Sequence, residues 1–303
     1  MALDADYLVD RNRLKRRLTI WRVVAIVVTV ALVATAVGRF TGTTSRDHIA
    51  RLTIQRVIVN DFDRLKAIDK AISNPQIKGV ILRINSPGGT IVGGEALHKS
   101  LARLAEKKPV VAVMGDLATS AGYMVAVPAH HIVAREGTIT GSIGVLFQTA
   151  EITDLLGNLG IAVDSIKSGP LKAEPSPFEK MSPEIRRATQ TLVDDMFDMF
   201  VTMVATHRNM TPEKVRALAD GRVFTGRMAV KNGLIDGIGG EREARRWLED
   251  NREIEKNLPV RDLRIRRPVP AWFDRIASLT RKTVFSERLT LDGLVAVWHP
   301  QLQ

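Results

Sequence analysis

The sequence predicts an α/β fold of layered β-sheets with flanking helices, preceded by one apolar N-terminal helix. Three observations lead there. Short β-branched runs bounded by turn residues recur, as in "KGVILRIN" (78–85) and "PVVAVMGD" (109–116). Amphipathic stretches of helical period alternate with them, the pattern of parallel strands joined by crossovers. Of the 303 residues, 45% are hydrophobic, enough for a packed core.

The first element is "LTIWRVVAIVVTVALVATAV", Leu18 to Val37. An apolar helix of this length crosses a bilayer. Its single charge, Arg22, lies near the start, where the side chain can snorkel to the headgroups, and Trp21 suits the interface. The basic cluster "RNRLKRR" precedes it, so residues 1–17 are placed in the cytoplasm and everything after residue 40 outside the inner membrane. Ala34-Thr35-Ala36 also fits a signal-peptide cleavage site. The apolar run is long for a signal peptide, so a single-pass anchor over 18–38 is the preferred expectation.

Residues 39–50 follow as a polar linker, 51–258 as the folded domain and 259–303 as a basic C-terminal extension. Within the domain, 51–59 predicts a strand, 61–74 a helix, 78–85 a buried strand and "SPGG" (86–89) a turn. Residues 94–107 predict a helix and 109–116 a second buried strand. Short strands with glycine turns follow over 131–146, then a helix over 151–158, a strand opening 160–169 and a loop over 173–181. Ser182-Pro183-Glu184 and Thr211-Pro212-Glu213 each open a helix, with the hydroxyl as cap and proline in the first turn.

Composition removes several function classes. There is no cysteine, hence no disulfide, thiolate metal site or cysteine nucleophile. The six histidines are scattered without HExxH spacing, so no metal and no cofactor is predicted. "GGTIVGG" (88–94) lacks the lysine and hydroxyl of a phosphate-binding loop. The net charge of +11 could suit nucleic acid, but aromatic residues make up only 5% and the basic residues gather at the two ends. That distribution fits membrane lipid as the partner and excludes nucleic acid.

Two turns carry the chemistry. "INSPGG" follows one buried strand and "ATSAGY" the next. The second places Ser120 where a helix begins. A serine there can simply cap the helix. Alternatively, it can be a nucleophile beside the unpartnered N–H groups of a helix start, which suit a developing oxyanion. No histidine lies nearby in sequence to activate it. A lysine whose amine is kept neutral by apolar surroundings can replace histidine as base. The chain has many lysines, and residue physics alone does not choose among them. Lys172, in "SGPLKAEPSPF", stands out for its small and apolar neighbours, although an ordinary solvated loop lysine would look the same.

Taken together, "RINSPGG", "DLATSAGYMVA", "TGSIGV", "SGPLKAEPSPF" and "DGRVFTGRMAVKNGLIDGIGG" resemble the bacterial signal peptide peptidase A family over roughly residues 50–245. The resemblance implies a Clp-protease/crotonase-like fold and a membrane-anchored serine endopeptidase with a Ser-Lys dyad. By the same resemblance, Ser120 is the nucleophile, Lys172 the general base and Ser142 the serine that holds the lysine amine. The N–H groups of Gly89 and Ala121 line the oxyanion hole. Relatives are homo-oligomers in which the lysine can come from a neighbouring subunit. The implied substrates are cleaved signal peptides or other membrane peptides, bound as an added β-strand. A same-fold protease of other membrane or exported proteins, or a crotonase-type acyl-CoA enzyme or binder, would share the fold and the oxyanion donors. A lysine base predicts a neutral to alkaline activity optimum.

Overall fold

The computed structural model describes residues 17–33 and 47–265, and the backbone of 294–297. It divides into two units, 1–46 and 47–303. In the first, residues 17–33 form a helix, α1, whose side chains are all exposed. Among the described residues, no helix is long and apolar enough to cross a membrane. Residues 34–38 of the expected anchor lie outside the described residues.

The second unit runs β1 (His48–Gln55), α2 (Phe62–Ser73), β2 (Ile77–Ser86), β3 (Gly88–Thr90), α3 (Ile91–Lys107), β4 (Val110–Thr119), α4 (Ala121–Ala126), β5 (His131–Ala134), β6 (Ile139–Gly141) and β7 (Leu146–Phe147). It continues with α5 (Thr153–Asn158), α6 (Pro183–Arg208), α7 (Pro212–Leu218), β8 (Val223–Thr225), α8 (Gly226–Asn232), β9 (Gly237–Ile238), α9 (Glu241–Asn251), β10 (Val260–Asp262) and β11 (Leu294–Val297).

The main sheet has the order β10-β1-β2-β4-β5-β9, and every pairing along that path is parallel. A parallel sheet needs cover on both faces, and the strand sequences provide it. Leu52, Ile54, Leu82, Ile84, Ala112, Met114 and Ile132 face one large core with Leu97, Leu101 and Phe200 from α3 and α6. The intervening Ile49, Ile81, Val111 and Val133 face the other side, under Ala244 and Leu248 of α9. Strand β4 is shared. Its first half pairs with β5 and its last three residues with β6, which in turn pairs antiparallel with β8. A smaller sheet, β3-β11-β7, is antiparallel throughout.

Side-chain caps set the helix starts. Asp61, Thr90, Ser182, Thr211 and Thr225 each accept a hydrogen bond from the backbone N–H three residues on. The Thr90 cap starts α3 at Ile91, one turn earlier than periodicity alone indicates. The expected turn at 86–89 ends in a strand, because the backbone of Ile58 bonds both Gly88 and Thr90. The strand expected at the start of 160–169 does not form. Ile161, Val163 and Ile166 are exposed there, and no strand of the described residues pairs with them. Strand β1 begins at His48, inside the segment expected to be linker. β10 and β11, from the expected C-terminal extension, add to the two sheets.

Candidate active site

Strand β4 delivers Ser120 to the site, and α4 begins at the next residue. Ser120 has φ +56° and ψ −121°. An L-residue seldom adopts that conformation unless the surroundings hold it there, and such strain gathers where function needs a particular geometry. Two backbone bonds hold it. The Ser120 N–H donates to the Gly141 carbonyl at 2.8 Å, and the Ser120 carbonyl accepts from Met124 N–H at 2.9 Å. The side chain makes no capping hydrogen bond. Of the two roles the sequence allows this serine, the helix cap is therefore not the one it takes. It is 1% exposed.

The Gly88-Gly89 turn lies beside it, tied through strand pairing and side chains. Ser86 pairs with Ala118, and Thr119 Oγ1 donates to the Pro87 carbonyl at 3.1 Å. Ser86 is a buried hub. Its hydroxyl accepts from Gly88 N–H at 3.1 Å and donates to the Arg56 carbonyl at 2.6 Å. Gly88 has φ +115°, a backbone that L side chains rarely adopt. At Gly89 a Cβ would lie 1.8 Å from the Ile58 carbonyl oxygen, so only glycine fits. The Gly88 carbonyl accepts from Ile58 N–H, and Thr90 N–H donates to the Ile58 carbonyl. Alternation along an extended strand therefore turns the Gly89 N–H and C=O to the opposite edge. The N–H of Ala121, in the first turn of α4, has no carbonyl to bond within its own helix.

Ser142 follows Gly141, which accepts from Ser120, and has φ +49°; its own N–H donates to the Arg222 carbonyl at 2.8 Å. Ser120, Ser142, the Gly88-Gly89 turn and the start of α4 are thus brought together. Among the described residues no hydrogen bond or ion pair joins Lys172 to that group. The lysine lies on an exposed segment and makes no ion pair or hydrogen bond through its ammonium among the described residues. Leu171, Phe178 and Ile166 of the same segment are also exposed. Lys167, close by in sequence, is bound by Glu174 and Glu179, whose carboxylates push its ammonium up from its ordinary value. That lysine is held in the charged form and cannot accept a proton at neutral pH.

Three supports were not singled out from sequence. Ser86 carries the Gly88 turn. Tyr123, fully buried, donates from its hydroxyl to the Leu234 carbonyl at 2.7 Å, and burial pushes that hydroxyl above the ordinary tyrosine value. His98 of α3 donates from Nδ1 to the Met124 carbonyl at 2.8 Å, so α4 is tied on two sides. The sequence signal for Ser86 is a serine closing a β-branched run just before Pro-Gly-Gly. Tyr123 and His98 carry no local signal, because their partners are distant in sequence.

The arrangement can perform acyl transfer: a strained serine beside backbone donors is the geometry that tetrahedral intermediates need. Among the described residues, no cluster of His, Cys, Asp and Glu could hold a metal ion. Sequence comparison with known proteins agrees with this chemistry. The chain is 40% identical to a Synechocystis protein named "Putative protease" over 207 residues, 68% of this chain and 74% of that one. It is 37% identical to an Enterococcus faecium protein named "Putative signal peptide peptidase SppA" over 224 residues, 69% of this chain and 65% of that one. A solved membrane-bound stomatin-specific protease aligns with 72% of this chain and 98% of its own, at 15% identity and a TM-score of 0.47. The model of peptidase family S49 matches residues 102–255, which include both Ser120 and Lys172. With the sequence match and the serine geometry pointing the same way, the chain belongs to peptidase family S49, a family of serine proteases.

Proposed function

We propose that this protein is a membrane-anchored endopeptidase of Clp-protease/crotonase-like fold that degrades cleaved signal peptides with a Ser120–Lys172 dyad. The observation that carries the reading is Ser120, held at positive φ between β4 and α4 with its hydroxyl unused as a cap. The Ser120 hydroxyl attacks the scissile carbonyl while Lys172 takes its proton. The N–H groups of Gly89 and Ala121 receive the oxyanion, and Ser142 holds the lysine amine. Lys172 then returns the proton to the leaving amine, and water hydrolyses the acyl-enzyme. Membership of a peptidase family leaves acyl-CoA chemistry without support.

Among the described residues Lys172 makes no bond to Ser120 or Ser142, and it sits in a segment rich in exposed apolar side chains. This supports a homo-oligomer in which a neighbouring copy covers that segment and completes the dyad. The apolar run ending at Val37 supports an anchor that brings the site to peptides left in the membrane. A signal peptide is apolar and extended, and a strand edge with glycine backbone suits such a chain without demanding particular side chains.

The test is cleavage of a synthetic signal peptide in detergent by the full chain and its variants. Ser120→Ala and Lys172→Ala are each expected to lower kcat/KM by about 1000-fold or more with unchanged circular dichroism. Full activity in Lys172→Ala would remove that lysine from the mechanism. Cleavage of exported proteins with no cleavage of the signal peptide would overturn the substrate assignment.

A further inference from the structure

The segment that carries Lys172 is drawn into a closed loop by a second lysine. Lys167 Nζ is bound by Glu174 and, at 2.5 Å, by Glu179 Oε1. The Lys167 and Glu174 side chains are 14% and 3% exposed, whereas Leu171, Lys172 and Ala173 between them are exposed. The other Glu174 oxygen accepts from Ser176 N–H at 2.9 Å, and Ser176 Oγ accepts from Phe178 N–H at 3.2 Å. The knot is fastened to the start of α5. Ile152 N–H donates to the Pro177 carbonyl at 2.9 Å, and Lys180 pairs with Asp154 at 3.0 Å. Inside the loop, Lys172 N–H donates to the Gly169 carbonyl at 3.1 Å and Glu174 N–H to the Leu171 carbonyl at 3.4 Å. The backbone is therefore turned on both sides of Lys172.

We propose that Lys167 is a positioning residue: bound by Glu174 and Glu179, it closes the loop on which Lys172 stands and so presents the Lys172 amine for proton transfer from Ser120. The proposal rests on the reading of Lys172 as the general base. Two lysines of one segment then have opposite surroundings and separate tasks. Lys167 is locked in its charged form by two carboxylates, while the Lys172 ammonium is tied to none among the described residues. Lys167 is also the one cation paired with Glu174 among the described residues. A covered carboxylate that loses its cation is left uncompensated. The Glu179 carboxylate, held below its ordinary value first by Lys167, also contacts Glu174 and would then repel it. Removing Lys167 therefore opens the loop at its base. A side chain on a closed loop samples fewer positions than one on an open chain, and a proton acceptor kept in place reaches the reacting geometry more often. Lys167 acts through Lys172, so its loss slows the chemical step without weakening peptide binding.

The test compares Lys167→Met, which keeps the length of the side chain and drops its charge, with Lys167→Arg, which keeps the charge. Both are made in the full chain, alone and together with Lys172→Ala. Peptide cleavage is resolved into kcat and KM, and amide exchange is followed over residues 168–173. Lys167→Met is expected to speed that exchange and to lower kcat by about 30-fold with KM changed by less than about 2-fold. Lys167→Arg is expected to return kcat to within about 3-fold of the parent. In the Lys172→Ala protein, Lys167→Met should lower kcat no further, because both changes act on one proton transfer. An unchanged kcat in Lys167→Met would overturn the proposal, and so would an equal loss in the Lys172→Ala protein. A Lys167→Arg protein as slow as Lys167→Met would also overturn it, by giving the proton transfer to the Lys167 amine itself. Full activity of Lys172→Ala would remove the base and the positioning role together. Faster exchange in Lys167→Met would then still show that Lys167 closes the loop, and so separate that failure from a loop that was never closed.

Discussion

Ser120 and Gly89 show how single residues build the site. The serine is held by its own backbone, through Gly141 and Met124, and not through its side chain, which is left for chemistry. Gly89 is there because the Ile58 carbonyl occupies the space a Cβ would need. Gly89→Ala must displace β3 from Ile58, and with it the Gly89 N–H on the opposite edge. The expected outcome is a loss of about 2–3 kcal/mol in urea unfolding and a fall in peptide cleavage of at least ~100-fold. Near-normal cleavage by this variant would take Gly89 out of the oxyanion hole. At this scale the sequence was informative about identity and silent about conformation. "INSPGG" and "ATSAGY" marked both turns, but the positive φ of Ser120 arises from a bond to Gly141, whose position no local pattern encodes.

Among the elements, α4 depends on its neighbours most. It has six residues, too few to be stable alone, so packing must hold it. Tyr123 ties it to Leu234, and His98 of α3 ties its Met124 carbonyl. Burial pushes His98 down to about 4 from its ordinary 6.5. The nearby His207 ring, 4.9 Å away edge-to-face, is also lowered by burial; Lys99 lowers His98 further and Glu95 opposes them. Between pH 6.5 and about 4 the unfolded chain binds a proton at this histidine that the folded chain refuses. Stability is therefore greatest above that window, falls as pH drops through it and loses no more below it. The loss is on the order of 3 kcal/mol. Chemical denaturation at stepped pH values should show it, and His98→Leu should flatten the slope while costing about 1–2 kcal/mol at pH 7. Most elements were legible from periodicity and caps: Ser182-Pro183 and Thr211-Pro212 start α6 and α7 as their residue types require. The start of 160–169 was misleading for a physical reason. Its β-branched residues favour an extended chain, but a strand needs a partner edge, and none of the described residues supplies one.

Over the whole molecule, the parallel sheet, its two cores and the backbone-donor turns form one connected frame, while Lys172 stands on an exposed segment outside it. The frame was readable because buried parallel strands are continuous apolar runs. The position of Lys172 was not, because a loop lysine carries no pattern that says what lies across from it. Nor was the pairing of residues 294–297 with β3 and β7, whose edges are far from them in sequence. The proposed function turns on whether Ser120 is a nucleophile made reactive by Lys172. The most direct measurement is labelling of the full-length protein with a fluorophosphonate probe, with the modified residue located by mass spectrometry, in parallel with Lys172→Ala. The expected result is a single label on Ser120 whose rate of formation falls by about 100-fold or more when Lys172 is replaced. Labelling of Ser120 at the same rate without Lys172, or no labelling of Ser120 in the folded protein, would contradict it.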